Sequence, residues 1–396
     1  MGPCGYPREM LDKGGEFILS IFIGPGRPFS SWADPRVRPP EEDAAGILST
    51  IPATIMNKEG FWMKKRAFLV VSVVLALSLV LAGTSIAQQK KFFVISTGGT
   101  GGTYYPLGGI LAQALTEKVP EVVTTAQAGQ ASVANCNLIR DKQIESAFVQ
   151  SNVAFNAYKG LEQFKDKPAT NLRFIASLYP ETIQIVARAD SGIKTVKDIK
   201  GKRLVPGDRG SGTEVDALNV LGAYGYTYKD FAGVDWLSFS GAAQRLQDKQ
   251  ADVTFTTAGW PTAAIQELAI ATKITVVPIE EAKIKDLTKK YPFYSKIIIP
   301  KGTYKDQEKD VATITTMAQW VVGAEVSEDV VYKLTKALWE TGAAKMANAH
   351  AQGKNVQIKT ALAGMAIPLH PGAEKYYKEA GLIKAEPAKK AAPKKK

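Results

Sequence analysis

Two glycine-rich loops, each set between an apolar run and a helical pattern, constrain this chain more than any other feature. The first lies in ISTGGTGGTYYPLGG, residues 95–109, which carries six glycines. Residues 92–95 ahead of it have the β-branched and aromatic character of a short buried strand, and Leu107, Ile110, Leu111, Ala114 and Leu115 behind it keep the i, i+3, i+4 spacing of a helix. The second is GDRGSGT, residues 207–213, set between the run at 202–206 and a helix carrying Val215, Leu218 and Leu221. Unpaired N–H groups at a helix start, with the positive end of the helix dipole, make each loop a ready anion site.

A second echo supports the first. DKQIESAF at 141–148 and DKQADVTF at 248–255 follow their glycine loops by 43 and 41 residues. In both, a helix end is predicted to lead into a short strand, 147–150 or 253–257, then a polar turn, 150–152 or 258–261, and another helix. This alternation predicts an α/β fold with largely parallel sheets, whose ligands lie at the carboxyl ends of the strands. Two such lobes facing each other place both glycine loops around one cleft. Between them, residues 173–188 predict two apolar strands around Tyr179, Pro180 and Glu181 that serve as a hinge, and the return crossing is expected within 310–322.

The expected organisation is therefore lobe I at 88–183 plus 312–384 and lobe II at 184–311. Ahead of them, Lys64, Lys65 and Arg66 precede an apolar stretch at 67–82, and Ser85, Ile86 and Ala87 offer the small residues a signal peptidase reads, so 63–87 is expected to be a cleaved signal peptide. Thr84 stands where a lipoprotein signal needs Cys, so a soluble periplasmic product without a lipid anchor is expected. Residues 1–62 show neither period and are expected to come from a start codon placed too far upstream. The Lys-rich end at 385–396 reads as a low-complexity, disordered tail.

The formal net charge is +12, and part of that excess sits in the tail. There is no arginine-rich stripe with interleaved aromatics, so no nucleic-acid partner is expected. After the signal peptide Cys136 is the lone cysteine, which excludes an internal disulfide and suggests a small core residue.

Several chemistries are excluded as well. The spacing of Gly207 and Gly212 fits a phosphate loop, but Thr213 and Glu214 stand where the phosphate-binding Lys is needed. The first loop holds no Gly-x-Gly-x-x-Gly in any register. His350 and His370 are the only histidines, without a His-Glu-x-x-His pattern, and no Gly-x-Ser-x-Gly elbow is present. His370, flanked by Pro368 and Pro371, suits a rigid turn with a hydrogen-bonded imidazole. No catalytic residue, metal or cofactor is expected; hydroxyls, amides, aromatics and backbone N–H groups are left, which bind well and catalyse poorly.

Residues 98–108, 147–151, 207–213, 291–294 and 367–373 resemble, in order, the TAXI-type substrate-binding subunits of TRAP transporters, over about 92–383. The resemblance implies a two-lobe periplasmic binding protein of the type II kind, with hinge strands joining its lobes. It further implies a monomeric receptor that binds a small carboxylate, of the glutamate, glutamine or 2-oxo acid type, and delivers it to an ion-gradient-driven TRAP membrane permease. Carried over by position, Thr100, Gly102, Thr103 and Tyr104 line the first loop, with Gln150 and Ser151 at the end of the second strand. Ser211, Gly212 and Thr213 line the opposite loop, Tyr179 and Glu181 contribute from the hinge, and Trp260 forms an aromatic wall. Glu181 either receives an ammonium or amide or repels a second carboxylate. Asn152 departs from the Asp expected in relatives. A receptor for an ABC importer or a membrane sensor, and more remotely an exported transferase, are the alternatives.

Overall fold

The computed structural model describes residues 68–72 and 90–384. The chain divides into two units, Met1–Ile86 and Ala87–Lys396. Of the first, only the exposed helical residues 68–72 are described, so 1–62 and most of the expected signal peptide lie outside the described residues, as does the tail at 385–396. Among the described residues no helix is long and apolar enough to cross a membrane.

The second unit is a two-lobe α/β fold built on ten strands. The first three are β1 (Lys91–Ser96), β2 (Val122–Gln127) and β3 (Ser146–Gln150), alternating with helices α1 (Tyr104–Lys118), α2 (Ser132–Arg140) and α3 (Ser151–Lys159). A long strand β4 (Leu172–Arg188) leads to β5 (Arg203–Val205), α4 (Gly212–Ala223), β6 (Gly233–Val234), α5 (Phe239–Gln247), β7 (Val253–Ala258) and α6 (Ala263–Ala271). After β8 (Ile274–Val277), α7 (Glu281–Lys290) and β9 (Ser295–Ile299), a second long strand, β10 (Val311–Gly323), precedes α8 (Glu328–Ala337), α9 (Ala343–Ala349) and α10 (Pro371–Glu379). The strand order is β2-β1-β3-β10-β4-β7-β5-β6, with β8 on β4 and β9 on β10.

Each half repeats one pattern. β2-β1-β3 and β6-β5-β7 are parallel triplets, and each triplet docks antiparallel on a long strand, β10 or β4. The repeated Asp-Lys-Gln is one structural device used twice. Lys142 and Lys249 both take positive φ, 56° and 57°, at a helix end. The next N–H then closes each turn, Gln143 onto the Leu138 carbonyl and Gln250 onto that of Arg245, both at 2.8 Å.

The hinge differs from expectation. Residues 172–188 form one continuous strand rather than two around Tyr179, Pro180 and Glu181. Pro180 lies opposite Met317 beside a register shift in β10, and such an irregularity accommodates the missing proline N–H without ending the ladder. Two core clusters draw on β4 and β10 only up to Tyr179 and from Ala318 onward, and the other two draw on 183–187 and 311–314. The strands therefore leave one core and enter the next within a few residues.

Cys136 is wholly buried beside Val133 and Ile139 in one of these clusters, and burial pushes its thiol pKa up. Trp320 of β10 is also fully buried; its ring meets Phe93 edge-on, centroids 6.4 Å apart, and its Nε1–H donates to Ser146 Oγ at 3.1 Å. Trp320→Ala removes that volume and leaves Ser146 Oγ only its own bond to the Val94 carbonyl at 2.8 Å, and a loss of about 3–5 kcal/mol is expected. Urea unfolding monitored by far-UV circular dichroism checks this.

Candidate functional site

The carboxyl ends of β1, β3, β5 and β7 converge on one small cavity of about 40 Å³. Helices α1, α2, α4 and α5 all begin at its wall, through Thr103 and Tyr104, Ala131 and Ser132, Ser211 and Gly212, and Ser238 and Phe239. N–H groups at helix starts have no carbonyl one turn back to bond, so four partly positive helix ends face the same space.

The first loop is fixed by a buried amide. Asn135 Nδ2 donates to the carbonyls of Thr97 (3.0 Å) and Phe148 (2.9 Å), and Asn135 Oδ1 accepts from Ser96 Oγ at 2.7 Å, which clips the ends of β1 and β3 together. The second loop is fixed by Glu214. Its carboxylate accepts from the Gly210 N–H (2.9 Å) and from Trp236 Nε1 (2.7 Å), while the Arg209 guanidinium stacks 3.7 Å over the Trp236 ring. Glu214, which with Thr213 stands where a phosphate loop needs Lys, thus staples the loop from behind. Ser211 Oγ caps α4 by accepting from the Glu214 N–H at 3.1 Å. Gly207 takes φ +104°, closed to most side chains, and a Cβ at Gly212 would coincide with the Gln150 side-chain oxygen.

That proximity reflects lobes drawn together. Gln150 Nε2 and Asn152 Nδ2 donate across the cleft to Asp216 of α4, at 2.6 and 2.9 Å. The Ala134 N–H donates to the Gly210 carbonyl at 3.1 Å, the Ala264 N–H to that of Gly101 at 3.2 Å, and Thr103 Oγ1 to that of Gly259 at 3.3 Å. Gln150 Oε1 and Asn152 Oδ1 are buried without a partner.

Among the described residues no Lys, Arg or His lines the cavity, whereas Glu181 and Asp208 do. Glu181 is 3 % exposed and accepts from Tyr104 Oη at 2.6 Å. Burial drives its pKa well above the usual carboxylate range, the Tyr104 bond pulls it back, and the charge of Asp216 adds to the rise. Burial likewise raises Asp216 to about 6, against hydrogen bonds from Tyr294, Gln150 and Asn152 that favour its ionised form. Asp208 is raised by burial as well.

Of the residues singled out from sequence, Gly102, Thr103, Tyr104, Gln150, Glu181, Ser211, Gly212 and Thr213 line the cavity. Thr100, Ser151, Tyr179 and Trp260 are outside the lining. Thr100 is exposed at the tip of its loop. Ser151 turns to the hinge, where its hydroxyl meets that of Thr316 at 2.8 Å. Tyr179 is fully buried in the first core, and Trp260 packs on the core cluster of α5, α6 and β8, its carbonyl accepting from Gln352. Phe239, not singled out from sequence, lines the cavity together with Tyr104. His370 sits elsewhere, capping α10 with Nδ1, which accepts from the Gly372 N–H at 3.2 Å, and donating from Nε2 to the Val326 carbonyl at 2.9 Å. Among the described residues no group of three or more His, Cys, Asp or Glu could hold a metal ion.

Sequence reasoning missed the AGQAS loop at 128–132, a third small-residue turn after a strand, and Asp216, an acid one helical turn beyond Gly212 that is wholly buried. Both signals were present in the sequence.

The arrangement is thus two α/β lobes on shared strands, with helix starts facing an interlobe cavity. The chain belongs to the NMT1-like family, whose pattern matches residues 95–381. Among solved structures it is similar to the alkanesulfonate-binding protein of Xanthomonas axonopodis pv. citri bound to MOPS (16% identity, 73% of this chain and 83% of that one, TM-score 0.43). It is also similar to a binding-protein component of an ABC phosphonate transporter from Pseudomonas aeruginosa (16% identity, 66% and 77%, TM-score 0.41). At such scores the likeness carries no argument about ligand or partner.

Asp216 generates a pH prediction. Its carboxyl is raised in the folded state, so the folded protein holds a proton that the unfolded chain has released. The resulting stability is fully present below about pH 4 and is lost as pH rises through about 6. Asp216→Asn should lower the slope of unfolding free energy against pH in that window by up to about 1.4 kcal/mol per pH unit, measured by urea titrations at several pH values.

Proposed function

We propose that the protein is an extracytoplasmic solute receptor that closes its lobes over a small carboxylate and passes it to a membrane permease. The observation that carries this reading is the ring of four helix starts around a cavity that no basic side chain lines. Backbone N–H groups and the hydroxyls of Ser132 and Thr213, which accept from the Gln150 and Thr257 N–H groups and keep their own protons to donate, suit a compact carboxylate, and the Glu181 carboxyl suits a donor at the ligand's other end. Glutamate, glutamine and 2-oxo acids have this form. A cleaved signal peptide at 63–87, a periplasmic monomer and lobe limits at 88–183 plus 312–384 and 184–311 complete the proposal. The ordered motifs quoted above support an ion-gradient-driven TRAP permease as the partner; an ABC importer is the other reading, and an uptake assay in cells with each permease separates them.

The ligand claim is tested by thermal unfolding of protein freed of co-purified ligand, against glutamate, glutamine, 2-oxoglutarate and succinate, with ATP as control. A ligand at about a hundred times its Kd adds about 2.7 kcal/mol and raises the midpoint by several degrees. A shift with one or two carboxylates and none with ATP is expected; a shift with ATP alone overturns the reading. Gly212→Val should abolish the shift, because its side chain needs the space that the Gln150 amide fills when the lobes meet.

A further inference from the structure

Glu181 occupies a position that a plain anion receptor has no use for. It lies in β4 opposite Thr316 of β10, where the long strands pass from one core to the other. Its main chain is tied down, since its carbonyl accepts from Thr315 Oγ1 at 2.8 Å. One side-chain oxygen accepts from Tyr104 Oη at 2.6 Å, the other has no hydrogen bond within the protein, and the residue lines the cavity while 97% shielded from solvent. The titratable groups around it are Tyr104 from α1, Tyr179 from its own strand and Asp216 from α4, with Asp208 across the cavity. The residues that face it from β10 and from β3, Thr315, Thr316 and Gln150, are uncharged. No cation is in place to pair with it.

We propose that Glu181 is the specificity-determining residue of the cleft and serves two ligand classes through two protonation states. As a carboxylate it accepts from the ammonium of an amino acid; as the neutral acid it donates its proton to the carbonyl oxygen of a 2-oxo acid. This deepens the carboxylate-receptor reading and rests on it. A buried acid without a cation is stable when neutral, and a ligand ammonium delivers the missing charge. The proton balance follows. An amino acid binding to the neutral form releases one proton to solvent, and a 2-oxo acid binding to the ionised form takes one up. Affinity for the amino acid therefore rises with pH, and affinity for the 2-oxo acid falls.

The test is isothermal titration calorimetry of the purified protein with L-glutamate and 2-oxoglutarate from pH 5.5 to 8.5, each in two buffers of different ionisation enthalpy. The ratio of the two dissociation constants should change at least tenfold across that range, and the buffer dependence should report protons moving in opposite directions for the two ligands. Tyr104→Phe removes the hydroxyl that favours the carboxylate form, so the pH at which the two affinities cross should move upward. Glu181→Gln should flatten the pH dependence and weaken L-glutamate at least tenfold, while keeping 2-oxoglutarate through its amide N–H. If both ligands bind with a pH-independent ratio and no buffer-dependent proton exchange, the two-state role of Glu181 is overturned and the receptor reading stands. If neither they nor any other carboxylate binds at any pH, both fall together. Because wild-type protein alone gives the ratio and the proton count, misfolding of a variant does not rescue the proposal.

Discussion

The antiparallel ladder between β4 and β10 is the constraint on which the other features depend. Both strands belong to both lobes, and their pairing runs from Thr315 opposite Thr182 to Gly323 opposite Leu172. Each lobe then docks its parallel triplet on one of these strands, and this brings the carboxyl ends of β1, β3, β5 and β7 to the same place. Thr313 and Thr315 add side-chain hydrogen bonds to the carbonyls of Ile183 and Glu181, at 2.7 and 2.8 Å, so the ladder is reinforced where it changes lobes. A hinge built this way bends without releasing Glu181, because its backbone is held on the strand while the loops of either lobe approach or withdraw.

The site that results is polarised. Helix starts supply partial positive charge, each worth about 0.3–1 kcal/mol to a nearby anion and up to about 2 kcal/mol when partly buried. Removing an unpaired carboxylate from water costs several kcal/mol, and one charge-assisted hydrogen bond from Tyr104 returns only about 1.5–3 kcal/mol. Desolvation therefore wins at Glu181, which is why its pKa lies high despite the short bond to Tyr104. The same contest at Asp216 is closer. Tyr294, Gln150 and Asn152 all donate to it, and its pKa settles at about 6.

What could be read from the sequence was whatever local chemistry dictates. The glycine loops, the strands at 91–96, 146–150 and 253–258, and the paired Asp-Lys-Gln turns declare themselves because glycine, β-branched runs and left-handed turn positions have local causes. Side-chain direction at the cleft has no such local cause. Ser151 follows Gln150 directly, yet as the first residue of α3 it points to Thr316 of the hinge, while Gln150 closes the strand and reaches α4. Trp260 stands beside the cleft in sequence, but it packs on the cluster of α5, α6 and β8, and Phe239 from another helix takes the wall. Tyr179 and Glu181 are two apart on one strand and share a face, yet Tyr179 sinks into the first core while Glu181 meets the cavity, because the strand leaves that core between them. The continuity of β4 through Pro180 depended on a register shift in β10, more than a hundred residues away.

The closed arrangement also says what the ligand must contribute. The side-chain contacts across the cleft are buried; a neutral one such as Thr103 to Gly259 is worth roughly 0.5–1.5 kcal/mol, and those from Gln150 and Asn152 to the Asp216 carboxyl about 1.5–3 kcal/mol each when it is ionised. Against them stand the side-chain oxygens of Gln150 and Asn152, buried without partners, each costing about 1–3 kcal/mol. On the proposed reading, a ligand that brings a carboxylate to the helix starts and a donor to these acceptors favours the closed form, and only by the difference between its affinities for the closed and open forms. Gly212 is where this shows most directly: only a residue without a side chain lets α4 come close enough for Asp216 to meet Gln150 and Asn152, and the strength of the clamp is set by how well the ligand satisfies what that approach buries.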